Sequence, residues 1–343
     1  MTGPLEAPDG PVYAVVVPTL VRATLTDCLA ALAAAIGPRP AEIVLVDDRP
    51  EAGADPAALE HPLRVLGELR ERTRVLTSGG RGPAVARNTG TRAVGAPWTV
   101  FLDDDVQVGP HWCAQLSEDL AEAPADTAGI QGVIAVPLTG ERRPTDWERG
   151  TAGLAEARWI TADMAYRTAV LKEVGGFDER FRRAFREDAD LALRVLDAGW
   201  GIRRGRRTTR HPVRPADRWV SLRAQRGNAD DALMGRLHGP DWWLKAAAPR
   251  GRIRTHAAVT AAGAGACLLA ALRRPRAAAA LGACWALGTA EFARSRITPG
   301  PCTRDEVGTM LATSVLIPPA ATWHRLSGEW RHRRAPAWRE VVS

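Results

Sequence analysis

The sequence predicts an α/β protein, a mostly parallel sheet flanked by helices, followed by a helical region of different character. Three observations carry that reading. From residue 13 to residue 102, short β-branched runs alternate with helical stripes. Polar residues gather just past the strand ends, at Thr19 and Arg22, at Asp47 and Asp48, and at Asp103 to Asp105. Ligands bind at that edge of an open α/β sheet. Beyond residue 216 the strand signal stops, and Arg-rich amphipathic patterns give way to apolar helical ones.

Tyr13–Val17 is an apolar run stopped by Pro18-Thr19 and reads as the first strand. Leu25, Cys28, Leu29, Leu32 and Ile36 then form a helical stripe that ends at Gly37-Pro38. Glu42–Val46 is the second strand, and Arg74–Thr77 a brief third, followed by a glycine-rich turn. Pro83 to Val94 reads as helix, with proline tolerated in the first turn. Trp98–Leu102 is a buried strand that runs into Asp103-Asp104-Asp105, and Ile130–Val136 is a further strand. Thr139 to Gly153 is polar and is expected to be a loop over the site. Gly175-Gly176-Phe177-Asp178 marks a turn. Glu187-Asp188 opens a helix with Leu191, Val195 and Leu196 on one face and Gly199 at its end.

Composition bounds the function. The 343 residues suit one large domain with an appendage or two modest domains, and 45% hydrophobic and 25% charged residues are ordinary for a globular chain. Lys occurs only at 172 and 245, so abundant Arg reflects coding bias. The net charge of +7 is concentrated, because residues 201–256 hold thirteen Arg and one Lys against four Asp. Such a block suits phosphates, anionic lipid or an acidic partner. It lacks aromatic interleaving and any recognised module, which argues against nucleic acid. Five widely spaced cysteines form no Cys-x-x-Cys pair, so a disulfide framework is not expected and a reducing compartment fits. The polar N-terminus has no apolar signal core, which argues against secretion by that route.

The Asp cluster carries the chemistry. Three adjacent carboxylates cannot lie unpaired in a core, since burying one ionised carboxylate costs several kcal/mol. They belong at the exposed end of the strand or around a cation. Asp103 and Asp105, two apart on an extended chain, point the same way and suit one hard divalent metal. A solvated acidic loop is the plain alternative. A dinucleotide-binding fold is disfavoured, because Gly80-Arg81-Gly82-Pro83-Ala84-Val85 lacks the third glycine and follows a late strand.

Taken together, these segments resemble the inverting family 2 glycosyltransferases of the GT-A fold, over roughly residues 12–215. The resemblance rests on Pro18-Thr19, Asp47-Asp48, Ala86-Arg87-Asn88-Thr89-Gly90 and Asp103-Asp104-Asp105. It continues through Thr161-Ala162-Asp163-Met164-Ala165, Gly175-Gly176-Phe177-Asp178-Glu179 and Glu187-Asp188-Ala189-Asp190-Leu191. It implies a Rossmann-like GT-A domain, a nucleotide-diphosphate sugar donor, and Mg²⁺ or Mn²⁺. By that resemblance Pro18, Thr19, Arg22, Asp47, Arg81, Arg87, Asp103 and Asp104 would bind the donor, with Arg87 and Arg81 as phosphate contacts. Asp103, Asp105 and His211 would hold the metal. Ala162, Asp163 and Glu187 would line the acceptor site, where many members have Gly-Ala-Asn in place of Thr161-Ala162-Asp163. Asp188 would be the catalytic base. Ordinary roles stand beside these: a helix cap for Asp48, a solvated helix residue for Arg87, a surface residue for His211, and a first-turn carboxylate for Asp188.

The expected organisation is an unstructured N-terminus (1–11), a catalytic domain (12–215), amphipathic basic connecting helices (216–250), an apolar helical region (251–325) and a basic tail (326–343). The apolar stretches 256–272, 277–293 and 307–322 would each reach roughly 25 Å as helix, short of a ~30 Å hydrocarbon core. Three arrangements fit them: a hairpin dipping into the cytosolic leaflet against anionic lipid, marginal spanning, or a helical subdomain or dimer contact. The expected location is cytoplasmic, on the inner face of the cell membrane. The expected activity is sugar transfer to a hydroxyl acceptor, lipid-linked or otherwise, in glycan, glycolipid or specialised-metabolite synthesis. The alternatives are a sugar-nucleotide nucleotidyltransferase and a non-catalytic membrane-associated scaffold.

Overall fold

A computed structural model describes residues 10–50 and 55–338. The expectations for the extreme N-terminus and for the end of the basic tail lie outside the described residues. The chain divides into two units, residues 1–137 with 154–212, and residues 138–153 with 213–343.

The first unit is built on an eight-stranded sheet in the order β3-β2-β1-β4-β7-β6-β8-β5. Its strands are β1 (Tyr13–Thr19), β2 (Glu42–Asp47), β3 (Thr73–Thr77), β4 (Trp98–Leu102), β5 (Gln107–Val108), β6 (Thr127–Ala135), β7 (Asp163–Arg167) and β8 (Gly201–Arg210). β1 pairs in parallel with β2 and β4, β2 with β3, and β6 with β8. β7 runs antiparallel between β4 and β6, and β5 antiparallel to β8, so the sheet is mixed. The helices are α1 (Thr24–Ala34), the single turn α2 (Glu60–Arg64), α3 (Pro83–Ala93), α4 (Trp112–Ala121), α6 (Thr168–Glu173) and α7 (Glu187–Asp197). The intervening α5 (Asp146–Ala152) belongs to the second unit.

The apolar runs become strands because helices cover both faces of the sheet. Along β1, Tyr13, Val15 and Val17 enter one core with α1 and α4, while Ala14 and Val16 enter the other with α3 and α7. Gly90 lets α3 lie close to β1, since a Cβ there would stand 2.3 Å from Val16 Cγ1. The chain leaves β1 for β2 on one side and returns to β4 on the other. Their carboxyl ends therefore form a topological switch point, the edge at which open α/β sheets form a ligand crevice.

Beneath that crevice lies a buried polar knot. Asp163, fully buried at the start of β7, accepts from Arg207 Nε (2.7 Å), Trp112 Nε1 (2.8 Å) and Thr209 Oγ1 (2.6 Å). Arg207 also reaches Asp119 (3.2 Å) and donates to the Ile130 carbonyl (2.7 Å). A buried guanidinium is tolerated when carboxylates and hydrogen bonds replace its water.

The second unit holds α5, α8 (Val220–Ala224), α9 (Asn228–His238), α10 (Trp242–Lys245), α11 (Ile253–Ala271), α12 (Pro275–Ile297) and α13 (Arg304–Arg331). The expected loop over 139–153 is corrected here. Thr145 and Glu148 close a capping box that starts α5, and the segment packs within the helical unit. Arg296 of α12 ties it in by bonding Asp146 (2.7 Å), Ser221 (2.9 Å) and Thr313 (2.7 Å). Among the described residues, no helix is long and apolar enough to cross a membrane.

Gly132 of β6 makes room for the polar knot, because a Cβ there would stand 2.3 Å from Asp163 Oδ2. Gly132→Ala should displace a carboxylate that is held on three sides and lower the unfolding free energy by ~3 kcal/mol. Urea denaturation measures this, and an unchanged midpoint would contradict the packing described.

Candidate active site

The carboxyl edge of the sheet collects most of the residues singled out in the sequence. Thr19 ends β1, Asp47 ends β2, the three aspartates follow β4, and His211 follows β8. The three aspartates do different work. Asp104 is 4% exposed and latches the loops together. Its Oδ2 accepts from Thr19 Oγ1 (2.7 Å) and Leu20 N (3.3 Å), and its Oδ1 from Arg22 (3.2 Å). The same Thr19 hydroxyl accepts from Val21 N (2.8 Å), where the backbone stands at φ 55°. A β-branched residue at positive φ is strained, so these bonds hold the loop after Pro18 in a shape it would not otherwise keep.

Asp105, 6% exposed, faces His211, with Oδ1 3.8 Å from His211 Nε2. Asp103 is the most exposed of the three and accepts from Arg87 Nη2 (2.7 Å). Arg87, expected as a phosphate contact, is paired here with two carboxylates. It is 2% exposed, and its other terminal nitrogen donates to Glu187 Oε1 (2.7 Å). One guanidinium therefore bridges the Asp cluster and the start of α7, with the Phe177 ring 5.5 Å from it.

At that helix start, Glu187 is buried and its Oε2 has no hydrogen-bond partner. Asp188 is half-buried and accepts from Ala189 N (2.7 Å). Arg186, just before them, stands at φ 77°, a left-handed turn that aims the two carboxylates. Burial and the adjacent Asp188 charge push the Glu187 carboxyl up to about 8 against the pull of Arg87. Burial also raises Asp188, opposed by its bond from Ala189 and by the Arg87 charge.

Asp47 and Arg81, both expected at the donor, lie at the end of β2 and in the glycine turn before α3. Arg49, which the sequence reading passed over, grips Asp47 through Nε (3.0 Å) and Nη2 (2.7 Å). The Asp-Asp-Arg spacing was the available signal. Asp47, Arg49, Leu59, Leu63, Arg70 and Thr77 line a cavity of about 570 Å³. Asp48 is a cap, but for a distant element. It accepts from Ser78 Oγ (2.7 Å), Arg81 N (3.0 Å) and Gly82 N (2.9 Å), fixing the glycine turn that enters α3. The Arg81 side chain is exposed on that turn and donates to the Ser78 carbonyl (2.9 Å). Asn88 zips α3 to the Gly176-Phe177 turn, donating to Phe177 O (2.9 Å) and accepting from Phe177 N (2.8 Å).

The structure does not bring Asp163 to the crevice. Its oxygens, expected at the acceptor, are engaged by Arg207, Trp112 and Thr209, and Ala162 beside it is 4% exposed. The Arg207 partner lay forty-four residues away, beyond the reach of local sequence signals.

Among the described residues, no three His, Cys, Asp or Glu side chains converge as a ready-made metal site. Asp105 and His211 nevertheless suit one hard cation. Two ligands of an octahedral ion at ~2.1 Å stand about 3–4 Å apart, and the remaining positions are commonly filled by substrate phosphates and water. Asp103, expected as a further ligand, is held by Arg87 beside them.

The glycosyl transferase family 2 model matches residues 14–191, and the chain belongs to that family of sugar-transferring enzymes. Among curated proteins, the chain is 28% identical over 138 residues to the pre-mycofactocin glycosyltransferase of two Mycobacterium tuberculosis strains. That match spans 36% of this chain and 28% of the relative. Among solved structures, it is similar to the mannosyltransferase PcManGT from Pyrobaculum calidifontis in complex with GDP-Man and Mn²⁺. The TM-score is 0.55 at 17% identity, covering 95% of this chain and 90% of that one, and the likeness is one of fold.

An acid whose folded pKa lies above its unfolded value binds more protons when folded, so its stability contribution falls as pH rises between the two. For Glu187 that window runs from 4.5 to about 8. In metal-free buffer, the wild type should therefore lose more stability than Glu187→Gln between pH 5 and pH 8. Urea unfolding at both pH values tests this, and parallel losses would contradict it.

Proposed function

We propose that this chain is a metal-dependent inverting glycosyltransferase that moves a sugar from a nucleoside-diphosphate sugar to an acceptor hydroxyl. The observation that carries the reading is the Arg87 bridge, which holds the Asp cluster within one guanidinium of the Glu187-Asp188 helix start. A carboxylate at a helix start and a second acidic group at a strand end give a base and a donor seat facing one crevice. The fold neighbour that bound GDP-Man and Mn²⁺ supports the donor class and the metal. The cavity beside Asp47 and Arg49 suits the nucleoside, with Arg49 and Thr77 at its rim.

Asp105 and His211 would hold Mg²⁺ or Mn²⁺, which when bound neutralises charge on the departing diphosphate. Asp188 takes the acceptor hydroxyl proton as oxygen attacks the anomeric carbon from the face opposite the diphosphate. The bond from that carbon to the diphosphate breaks, and its electron pair leaves with the nucleotide. A carboxylate raised toward neutrality by burial is a stronger base than one in water and remains able to ionise. The sugar acceptor belongs to glycan, glycolipid or specialised-metabolite synthesis.

Asp188→Asn should lower transfer by ~10³-fold or more, while Mn²⁺-dependent donor binding stays within a few-fold. Turnover with screened sugar nucleotides, beside calorimetric donor binding, tests this, and retained turnover would refute the base assignment. His211→Ala should raise the Mn²⁺ concentration needed for donor binding by ~10-fold. An unchanged Mn²⁺ titration would remove His211 from the metal site.

A further inference from the structure

The helical unit has an apolar exterior. At about 100° per residue along α13, the buried Met310, Ile317 and Ala321 fall on one side. Leu311, Val315, Leu316, Trp323, Leu326 and Trp330 fall on the opposite side, with Trp323 68% and Trp330 69% exposed. Charged residues occur on that outer side only toward the two ends of the helix, at Arg304 and Asp305 and again from Glu329 onward. A helix that is apolar on both sides normally has both sides covered.

The neighbouring hairpin repeats the pattern. Its arms, residues 257–272 of α11 with Leu272 just beyond it and 277–290 of α12, contain no charged residue, yet most of their side chains are exposed. Leu268 and Leu272 are each 60% exposed and Leu287 72%. Arg273, Arg274 and Arg276 stand at the tip, and Arg252, Arg254 and Arg294 at the base, where Glu291 ends the second run and pairs with Arg252. The hairpin meets α13 at Thr260 and Thr322, whose hydroxyls are 3.4 Å apart.

Charge decides what covers this surface. Residues 138–153 and 213–338 contain twenty-two Arg and Lys against eleven Asp and Glu. A second copy of the chain would bring an equal positive excess and be repelled. An anionic bilayer offers an apolar interior together with negative headgroups, and exposed tryptophan favours that boundary. No described helix is long and apolar enough to cross, so the contact lies along the surface.

We propose that the outer face of α13 and the α11–α12 hairpin dock on an anionic lipid surface. Trp323, Leu326 and Trp330 enter the headgroup boundary, and the arginines at the ends of the uncharged runs contact lipid phosphates. The test is flotation of the full chain with vesicles of phosphatidylcholine alone or mixed with phosphatidylglycerol. The wild type should float only with the anionic vesicles, with its tryptophan emission shifted to the blue. Trp323→Glu with Leu326→Glu, both at exposed positions, should weaken that binding by ~10-fold or more while leaving the thermal melt unchanged. Arg273→Glu with Arg274→Glu and Arg276→Glu should weaken it as well. Absence from both vesicle types, or equal binding to both, would overturn the proposal. So would a dimer in sedimentation that the Trp323→Glu variant breaks without any vesicle binding.

Discussion

A single buried guanidinium sets the geometry of the crevice. Arg87 comes from α3, yet its two terminal nitrogens reach Asp103 at the end of β4 and Glu187 at the start of α7, each at 2.7 Å. These partners lie sixteen and one hundred residues away in the chain. Taking a guanidinium out of water is costly unless carboxylates replace the lost hydration, and two carboxylates crowded together are costly unless a cation separates them. Each group makes the burial of the others tolerable. The arrangement therefore persists only while β4, α3 and α7 keep their relative positions, which the two apolar cores of the sheet enforce.

Around that bridge, the loops are held by side chains, with little help from regular backbone pairing. Asp104 fastens the loop after β1, Asp48 fastens the glycine turn before α3, and Asn88 fastens the turn before α7. Two non-glycine residues at positive φ, Val21 and Arg186, flank the crevice. Backbone strain of this kind, about 1–3 kcal/mol per residue, survives only where surrounding bonds over-determine it. A crevice of fixed shape is what charge stabilisation requires, because dipoles that need no reorganisation act most strongly on charge that develops during reaction.

The two units follow different physical rules. The sheet unit hides its apolar residues between helices and presents carboxylates at one edge. The helical unit buries Arg296 among Asp146, Ser221 and Thr313, and leaves leucines and tryptophans outside. Pro318 and Pro319 lie within α13, where they remove backbone donors. Thr322 Oγ1 donates to the Pro318 carbonyl at 2.8 Å, one turn back along the same helix.

The sequence by itself determined the alternation of strand and helix, the crowding of polar groups past the strand ends, and the family motifs, because these are local patterns of period and turn chemistry. It could also show that the last third is apolar without being long enough to span a bilayer. It could not show that Arg87 joins Asp103 to Glu187 or that Asp163 is buried against Arg207, it read residues 139–153 as a loop, and it passed over Arg49. The antiparallel β7 and the division of labour among Asp103, Asp104 and Asp105 were equally out of reach. Three of these depend on a partner distant in the chain: Arg207 for Asp163, Glu187 for Arg87, His211 for Asp105. A carboxylate has the same residue code whether it meets a guanidinium, a hydroxyl or open solvent, and only the tertiary structure selects which, since burial and pairing are properties of neighbours in space.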